Sequence, residues 1–371
     1  MLIKTIVSII FAPFILASEL LYPNKPVVYV SPNPPQEIQS TKATSTKVVS
    51  KNNEEKKTVA IVATTTAQKP KKVPKIETSS ASNIPKIQIP EPNFEQINTN
   101  SRKTIVNIFC TTKYNDLSPI SGTGVIISGD GLILTNAHIG QYLLLKDFRE
   151  KDYLKCVGRT GSPAYPKYNL ELVYISPNWV AENKRLLKEQ NPQGTGENDF
   201  SFLRITSNID GTPIENFIYI EPNTNESINV GEPVLLVSYP AGFLGGLSII
   251  QDLNITSAIT KIQDVFTFRD GTIDVVSVGG TVVSQKGSSG GLVVDRNTSL
   301  IGIITTSSDG ETTSTRGLNA ITSAYISRDL NKEEGINLND FIKLDHKTFS
   351  SNFLSNKAPD LAKQIIDVLS E

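Results

Sequence analysis

The chain has 371 residues, a formal net charge of -1 and 20% charged residues, so no basic surplus predicts a partner such as nucleic acid. Its hydrophobic fraction of 38% is ordinary for a folded chain, and the length is enough for two or three domains. Only two cysteines and two histidines are present, so neither a zinc site nor any other cofactor is predicted.

The first 22 residues have the pattern of an export signal. Lys4 precedes the apolar run Thr5–Ala17, which is the order of a positive region and a hydrophobic core. Ile15 stands where a small residue favours cleavage, so both a removed signal peptide (1–22) and an uncleaved anchor that tethers the chain to a membrane stay open. Either form predicts an extracytoplasmic protein, whether secreted, periplasmic or anchored facing outward.

Residues 23–102 are predicted to be a disordered linker. Pro, Lys, Thr, Ser and Asn dominate it, as in Gln68–Lys75, and such a composition buries too little apolar surface to offset the entropy of ordering. One apolar island, Val59–Ala63, is interpreted as a transient strand within this spacer.

From Lys103 onward the pattern is nearly all β. Short runs of branched and aromatic residues alternate with Gly, Asn, Asp and Pro, and they give two groups of six predicted strands. This spacing predicts an all-β fold of two six-stranded antiparallel barrels, at residues 103–212 and 213–322. A helix is predicted over Pro177–Gln190 inside the first group, with its apolar side chains used for packing.

A glycine-rich turn, Gly287–Gly291, separates two of the predicted strands. Glycines leave amides uncovered, and uncovered amides beside the Ser289 hydroxyl suit acyl transfer, in which the hydroxyl attacks and the amides stabilise the oxyanion. The competing interpretation is a polar hairpin turn. The nucleophile elbow of α/β-hydrolases is not favoured, because Leu292–Thr305 is strand-like and the only downstream histidine, His346, lies in a polar stretch predicted to be at the surface.

Two further residues carry groups that could activate a serine hydroxyl. His138 ends the predicted strand that begins at Leu132, where a side chain can point into a cleft, and Asp199 opens another strand. A lone histidine is more often structural, and a strand-opening aspartate is more often a turn residue. Both residues precede Ser289 in the chain, His138 first and Asp199 second, and this order favours a catalytic role over a structural one.

With His138, Asp199 and Ser289 in this order, and a barrel boundary between the second and third, the chain resembles the trypsin-like serine peptidases of the chymotrypsin fold. Within them it resembles the bacterial HtrA/Deg-like branch, and the residues after the barrels are expected to form helices and not a PDZ domain. The resemblance rests on five stretches: Thr123–Ile127, Leu134–His138, Asn198–Leu203, Gly287–Gly291 and Leu300–Ile303. It implies Greek-key barrels with the active site between them, and an exported serine endopeptidase acting on proteins or peptides.

The resemblance also implies a role for each matched residue. His138 is the general base, Asp199 orients it, and Ser289 is the nucleophile that forms an acyl-enzyme. The backbone amides of Gly287 and Ser289 form the oxyanion hole. Lys286 takes the place of a residue that is often proline in this branch, so a loop that is collapsed in the free protein stays open as an alternative.

The specificity pocket is implied at Val283, Ser284 and Ile303. Because Val283, six residues before the nucleophile, is not a carboxylate, the expected side chain before the scissile bond is small or medium and apolar rather than Lys or Arg. Ser288 stands where digestive-type members carry aspartate, so activation through a newly cleaved N-terminus is not expected.

The two cysteines fall on the first and fourth predicted strands. In a six-stranded barrel of this family those strands are neighbours, so an exported chain is expected to join Cys110 to Cys156 by a disulfide. The alternative is a pair of buried free thiols.

Residues 323–371 are predicted to be helical. Ser323 is the expected N-cap of a helix Ala324–Glu334 that Gly335 ends, and Ala358–Leu369 is amphipathic. Packing of these helices against the barrels is favoured over partner binding. Two other functions stay open, a catalytically silent binding module with a protease fold and an esterase, and no oligomeric state is predicted.

Overall fold

A computed structural model describes residues 71–72, 93–115, 117–189, 194–269, 271–307 and 312–371. The predicted export segment and most of the predicted linker, including Val59–Ala63, lie outside these ranges. No helix among the described residues is long and apolar enough to cross a membrane.

The described residues form fourteen strands, eight α-helices and one short 3-10 helix. The strands are β1 (Lys71–Lys72), β2 (Ile105–Thr112), β3 (Ile120–Ile126), β4 (Leu132–Thr135), β5 (Leu154–Thr160), β6 (Tyr165–Ile175), β7 (Ser201–Asn208), β8 (Pro233–Ser238), β9 (Thr256–Lys261), β10 (Asp264–Thr267), β11 (Val275–Ser277), β12 (Leu292–Val294), β13 (Leu300–Ser307) and β14 (Leu318–Thr322). The helices are α1 (Phe94–Ser101), α2 (Ala137–Leu144), α3 (Pro177–Asn183), the 3-10 helix Lys184–Lys188, α4 (Gly246–Gln251), α5 (Ser323–Glu334), α6 (Leu338–Phe341), α7 (His346–Asn356) and α8 (Ala358–Ser370).

The first group of strands closes into a six-stranded barrel. Its order is β2-β3-β4-β7-β6-β5, with β2 paired to both β3 and β5. The strands alternate branched and aromatic side chains, and Ile108, Leu134 and Phe202 are fully buried inside. The antiparallel pairing of β4 with β7 matters for function, because it places the C-terminal end of β4 beside the N-terminal end of β7.

The second group forms an open sheet in the order β1-β10-β11-β14-β13-β12-β8-β9. The predicted all-β fold in two parts is confirmed, and this second sheet is open in its strand order. The consecutive strands β9 and β10 take different partners, since β9 pairs with β8 and β10 with β11. The Gln263 amide between them donates to Ser277 O (2.8 Å). β9 instead contacts Val278 through the Thr260 hydroxyl (2.9 Å).

Two elements fall inside the predicted linker. β1 pairs antiparallel with β10, and α1 begins after Asn93, whose side chain accepts a hydrogen bond from the Gln96 amide (3.1 Å). Ile97 of α1 is buried against the core. The prediction of disorder up to residue 102 is therefore wrong for residues 93–102, because one capped turn with a single buried isoleucine is too small a signal to stand out in a polar composition.

Cys110 on β2 lies directly opposite Cys156 on β5, and the two form a disulfide. The structure thus has the disulfide rather than two free thiols. A cross-link between residues 46 positions apart restricts the unfolded chain and typically contributes about 2–4 kcal/mol to stability.

The helix α5 starts one residue earlier than expected. Thr322 is its N-cap, accepting a hydrogen bond from the Tyr325 amide (3.0 Å), whereas the predicted cap Ser323 donates to Leu300 O (2.8 Å). The cap prediction is wrong because two hydroxyl residues stand in sequence and only the first keeps an extended backbone. Gly335 ends the helix with φ +72°, as predicted.

The helices α6, α7 and α8 pack against the first barrel. Phe341, Phe353 and Ile365 belong to the same core cluster as Phe202, and the Phe202 and Phe341 ring centroids are 4.7 Å apart. His346 is 3% exposed, so its predicted surface position is wrong. Its polar sequence neighbours face solvent, while the ring faces inward.

Candidate active site

The paired ends of β4 and β7 bring His138 and Asp199 together. His138 follows Thr135, the last residue of β4, by three positions, in the first turn of α2, and Asp199 stands two positions before β7. The His138 ring Nδ1 lies 2.9 Å from Asp199 Oδ2, and the His138 amide donates to Oδ1 (3.0 Å). Because an ionised carboxylate only accepts, Nδ1 carries a proton and Nε2 of the neutral ring is free to accept one.

Asp199 is buried and surrounded by donors. Thr305 Oγ1 donates to Oδ2 (2.7 Å), and Asn136 Nδ2 donates to the backbone carbonyl (3.0 Å). Burial by itself disfavours the charged carboxylate, but the adjacent His138 and the hydrogen bonds from His138 and Thr305 outweigh it and hold the pKa of Asp199 below its ordinary value. Asp199 therefore stays ionised at neutral pH.

The residue before Asp199 is fixed by the C-terminal helix α5. Asn198 has φ +57°, a left-handed conformation that asparagine tolerates better than most residues. The Asn198 amide donates to the Tyr325 hydroxyl (2.9 Å), and that hydroxyl donates to Asn198 Oδ1 (3.2 Å). A tyrosine on α5 thus holds the turn that presents Asp199.

Ser289 lies in the loop between β11 and β12. Two glycines of this loop have backbone conformations that other residue types rarely adopt. Gly290 has φ +79°, and a Cβ there would stand 1.8 Å from Thr123 O. Gly287 has φ +92°, and its Cβ would stand 2.7 Å from Tyr239 O. The loop is pressed against the first barrel, and the Thr123 amide donates to Ser289 O (2.8 Å).

The amides of Gly287 and Ser289 make no hydrogen bond to any described residue. The carbonyl of Lys286 accepts from the Ala241 amide (2.7 Å), and the carbonyl of Ser288 accepts from the Gly291 amide (2.8 Å). In a planar trans peptide the carbonyl and the following N–H point in opposite directions. Both N–H groups are thus turned away from those acceptors, and Gly287 and Ser289 both line the cleft.

We predict that Gly287→Ala lowers kcat about 10²- to 10³-fold, the usual cost of losing one oxyanion donor. The new Cβ would collide with Tyr239 O, and the loop would have to rotate the Gly287 amide. Steady-state kinetics on a peptide substrate measure the effect. Gly231→Ala is the matched control, because Gly231 has a similar φ of +89° with open space around it. Equal losses in the two variants would contradict the assignment.

His138, Asp199, Gly287 and Ser289 line one cleft of about 750 Å³. Within the described part of the chain, no hydrogen bond joins the Ser289 hydroxyl to the His138 ring. Catalytic contacts of this kind are often long in a free enzyme and tighten when substrate binds. The side chains of His138, Asp199 and Ser289 therefore line the same cleft. The contact between Asp199 and His138 is formed, and the hydrogen bond between His138 and Ser289 is not.

The three residues of the predicted specificity pocket, Val283, Ser284 and Ile303, are fully buried and are not among the residues that line the cleft. Ser284 Oγ accepts from the Thr281 amide (2.9 Å), and Val283 packs in the second core. Ile304 and Leu318 pack in the same second core and also line the cleft. The position of the specificity pocket stays a prediction.

Ile303 and Ile304 are neighbours on β13 and face different cores. Successive side chains of a strand point to opposite faces, so Ile303 packs in the first core cluster, while Ile304 packs in the second and also lines the cleft. Sequence reasoning also missed Thr305, the donor to Asp199, and Ala241, the donor to Lys286 O. The only signal for Thr305 is its place on the strand two residues after Ile303.

A buried acidic residue lies on α5 behind the site. Asp329 is 5% exposed, and its Oδ2 has no hydrogen-bond partner among the described residues. Burial, together with the nearby charges of Glu333 and Glu197, raises the pKa of Asp329 from 3.8 to about 6, and Lys332 and Arg269 oppose the rise only in part. The folded protein therefore keeps the Asp329 carboxyl protonated up to a higher pH than the unfolded chain does.

We predict that the stability of the protein falls as pH rises through about 6. The contribution of Asp329 is complete below the unfolded pKa of 3.8 and is lost above the folded pKa, because the folded state must then hold a buried charge. The loss is up to about 3 kcal/mol. Urea unfolding at pH 4.5, 6 and 7.5 should show this slope in wild type and a reduced slope in Asp329→Asn. Asp360→Asn, an exposed carboxylate on α8, is the control that should keep the slope.

Among the described residues, no group of three or more His, Cys, Asp and Glu side chains is arranged to hold a metal ion. The chemistry available to the cleft is that of a hydroxyl, an imidazole with one free nitrogen, a buried carboxylate and two uncovered amides. On an all-β fold in two parts, this set of groups is the one that serine hydrolases of the chymotrypsin type use.

Residues 122–303 match the family model of the trypsin-like peptidase domain. This part of the chain is a trypsin-like peptidase domain, and the enzyme class is that of a serine endopeptidase. No curated protein matches the chain.

Solved structures similar to the chain include two proteases. One is the Rv3671c protease from M. tuberculosis in its active form, with 17% identity over 70% of this chain and 94% of that one and a TM-score of 0.41. Another is the serine endoprotease from Yersinia pestis, with 22% identity over 67% of this chain and 70% of that one and a TM-score of 0.42.

Proposed function

We propose that the chain is an exported serine endopeptidase that cleaves proteins or peptides through an acyl-enzyme on Ser289. The observation that carries the proposal is the His138 Nδ1 contact of 2.9 Å with buried Asp199, in the cleft that Ser289 and two uncovered amides also line. His138 accepts the serine proton on Nε2, and Asp199 stabilises the imidazolium that forms. The amides of Gly287 and Ser289 receive the charge of the tetrahedral oxyanion.

The second half of the reaction uses the same groups. The imidazolium returns its proton to the leaving amine, and water then attacks the acyl-enzyme with His138 again as base. An ionised Asp199 supports both halves, since it keeps Nδ1 protonated throughout. The cycle needs no group beyond these side chains and amides.

A fluorophosphonate probe tests the proposal directly. We expect wild-type protein to form one covalent adduct, and peptide mapping should locate it on Ser289. The probe needs an activated serine, so a chain that neither reacts with it nor cleaves an unfolded protein such as casein would be the silent binding module instead.

We propose a preference for a small or medium apolar side chain before the scissile bond. Ile304 and Leu318 contribute apolar side chains to the lining of the cleft that Ser289 also lines, and this supports the preference. A peptide library digested with the enzyme should therefore show Ala, Val or Leu at this position. A profile dominated by Lys or Arg would contradict the prediction.

We also propose that the chain is exported, and that residues 1–22 either are removed or tether it to the membrane. The Cys110–Cys156 disulfide supports export, because disulfides persist in oxidising compartments. Fractionation of expressing cells, with N-terminal sequencing of the product, tests both forms. Recovery of the full chain from the cytoplasm with two reactive thiols would contradict the proposal.

A further inference from the structure

The polar groups of the cleft come from two different sheets. His138 and Asp199 stand at the paired ends of β4 and β7 in the closed barrel, whereas Ser289 stands just before β12 in the open sheet. In the ranges that the structure describes, the Ser289 hydroxyl makes no hydrogen bond to the His138 ring. The distance between these two groups is therefore set by the contacts that join the two sheets beside the cleft.

Thr123, on β3 of the barrel, makes two hydrogen bonds to the loop that carries Ser289. Its amide donates to Ser289 O (2.8 Å), and its hydroxyl donates to Gly287 O (2.8 Å). Thr123 is fully buried, so both bonds are shielded from water. The two carbonyls belong to the residues whose amides are the proposed oxyanion donors. Thr123 therefore holds the loop at both of these residues.

The orientation of the Thr123 hydroxyl is fixed by its two partners. The Tyr239 amide donates to Oγ1 (3.0 Å), so the hydroxyl accepts there, and its single proton goes to Gly287 O, which can only accept. Tyr239 directly follows β8 and stands two residues before Ala241, whose amide holds Lys286 O. One side chain of the barrel thus contacts both the active-site loop and the segment of the open sheet beside it.

These contacts restrict the backbone at Gly287. Its φ is +92°, and a glycine can rotate the peptide planes on either side of it at little steric cost. The plane before it is held by the hydrogen bond from the Ala241 amide to Lys286 O (2.7 Å), and the plane after it by the Thr123 hydroxyl. Without the second bond, the direction of the Ser289 amide relative to the Gly287 amide is no longer fixed from the barrel.

Thr123 is also joined to the strand that presents His138. Thr135 Oγ1 donates to Thr123 O (2.7 Å), and Thr135 is the last residue of β4, three positions before His138. Thr135 is fully buried as well. A continuous series of hydrogen bonds therefore runs from the end of β4 through Thr123 to the carbonyls of Gly287 and Ser289.

We propose that Thr123 is a positioning residue, whose hydroxyl holds the oxyanion amides of the open sheet at a fixed place relative to His138 of the barrel. This inference rests on the proposed peptidase function. Because Thr123 is buried, it acts through Gly287 and Ser289 and not by contact with substrate. The oxyanion forms only as the reaction proceeds, so loss of the hydroxyl should weaken the transition state more than it weakens substrate binding.

Thr123→Val tests the proposal, because it nearly keeps the shape of the side chain and removes the hydroxyl. We expect kcat for a peptide substrate to fall by about tenfold or more, up to the roughly 10²-fold that a misplacement of about 1 Å can cost, with KM nearly unchanged. A peptide boronic acid, whose adduct with Ser289 mimics the tetrahedral intermediate, should bind more weakly by a similar factor. Thr123→Ser keeps a hydroxyl and should recover most of the lost kcat.

Thr104→Val is the matched control. Thr104 is a buried threonine (2% exposed) just before β2, and its hydroxyl also donates to a backbone carbonyl, Ser101 O (2.8 Å). Both valine variants should unfold at a lower temperature than wild type, but Thr104→Val should keep the wild-type kcat. If Thr123→Val does not fold, Thr123→Ala, which adds no methyl group beside Gly287 O, takes its place with the same expected loss.

Three results would overturn the proposal: a wild-type kcat in the folded Thr123 variant, equal losses of kcat in the Thr123 and Thr104 variants, or a loss that appears in KM alone. Each of them would leave Thr123 with a structural role only. These results are distinct from a failure of the peptidase function itself, in which wild type cleaves no peptide and takes no fluorophosphonate.

Discussion

Replacing Ser289 by alanine is expected to lower kcat for any peptide substrate by about 10⁶-fold. The hydroxyl is the only group in the cleft that attacks the carbonyl in the proposed reaction, and His138 cannot act without a proton to accept. The variant should still bind substrate, so KM should change far less than kcat. Single-turnover kinetics with a peptide ester, together with fluorophosphonate labelling, measure both effects.

The neighbouring Ser288 gives a matched control for Ser289. Its hydroxyl is buried and hydrogen-bonded to Ser238 Oγ (2.9 Å), so it belongs to the packing of the loop. Ser288→Ala should keep the covalent label while losing about 1–3 kcal/mol of stability, because Ser238 is left without that partner. If instead Ser288→Ala abolishes the label and Ser289→Ala keeps it, the nucleophile has been assigned to the wrong residue.

Asp199→Asn is expected to lower kcat about 10⁴-fold without unfolding the protein. The asparagine amide can donate to His138 Nδ1, which then becomes an acceptor and moves the ring proton to Nε2. A protonated Nε2 cannot take the proton of Ser289. Thermal unfolding should show a folded variant, so the loss should appear in the rate and in the pH–rate profile rather than in the amount of native protein.

Thr305→Val distinguishes a change in the His138 tautomer from a loss of correct positioning of the Asp199 carboxylate. It removes the 2.7 Å hydrogen bond to Oδ2 but leaves the carboxylate, which still accepts from the His138 ring. We expect a loss of about tenfold, in line with a single charged hydrogen bond of about 1.5 kcal/mol or more. Equal losses in Asp199→Asn and Thr305→Val would mean that positioning of the carboxylate, and not its choice of tautomer, sets the rate.

The strands, and the places of His138 and Asp199 at strand ends, could be predicted because both are local in sequence. The run from Leu132 to His138 shows its strand and its end directly, and Asp199 opens another such run. The pairing of β4 with β7 then follows from the barrel topology that the resemblance implied. The loop around Ser289 could be located because left-handed backbone conformations favour glycine, and the glycines can be seen in the sequence.

The parts that could not be predicted depend on contacts between distant residues. Whether Ile303 or Ile304 faces the cleft is a matter of strand register, and both residues are the same type. The burial of His346 depends on Asp130, more than 200 residues earlier, whose carboxylate lies 2.7 Å from the ring.

A contact of the same kind holds the backbone at Lys286. Proline at this position would restrict the loop through its own ring, whereas here the Lys286 carbonyl is held by the Ala241 amide. A backbone hydrogen bond to the Ala241 segment thus restricts the loop in place of a proline ring. No property of lysine as a side chain predicts that bond.

The burial of Phe341, Phe353 and Ile365 in the core of the first barrel has a consequence for what stabilises that barrel. These residues follow the start of the barrel, at β2, by more than 200 positions. A chain from which the helices that carry them are removed cannot bury that core in full. The barrel that presents His138 and Asp199 is thus completed by helices that are distant from both residues in the sequence.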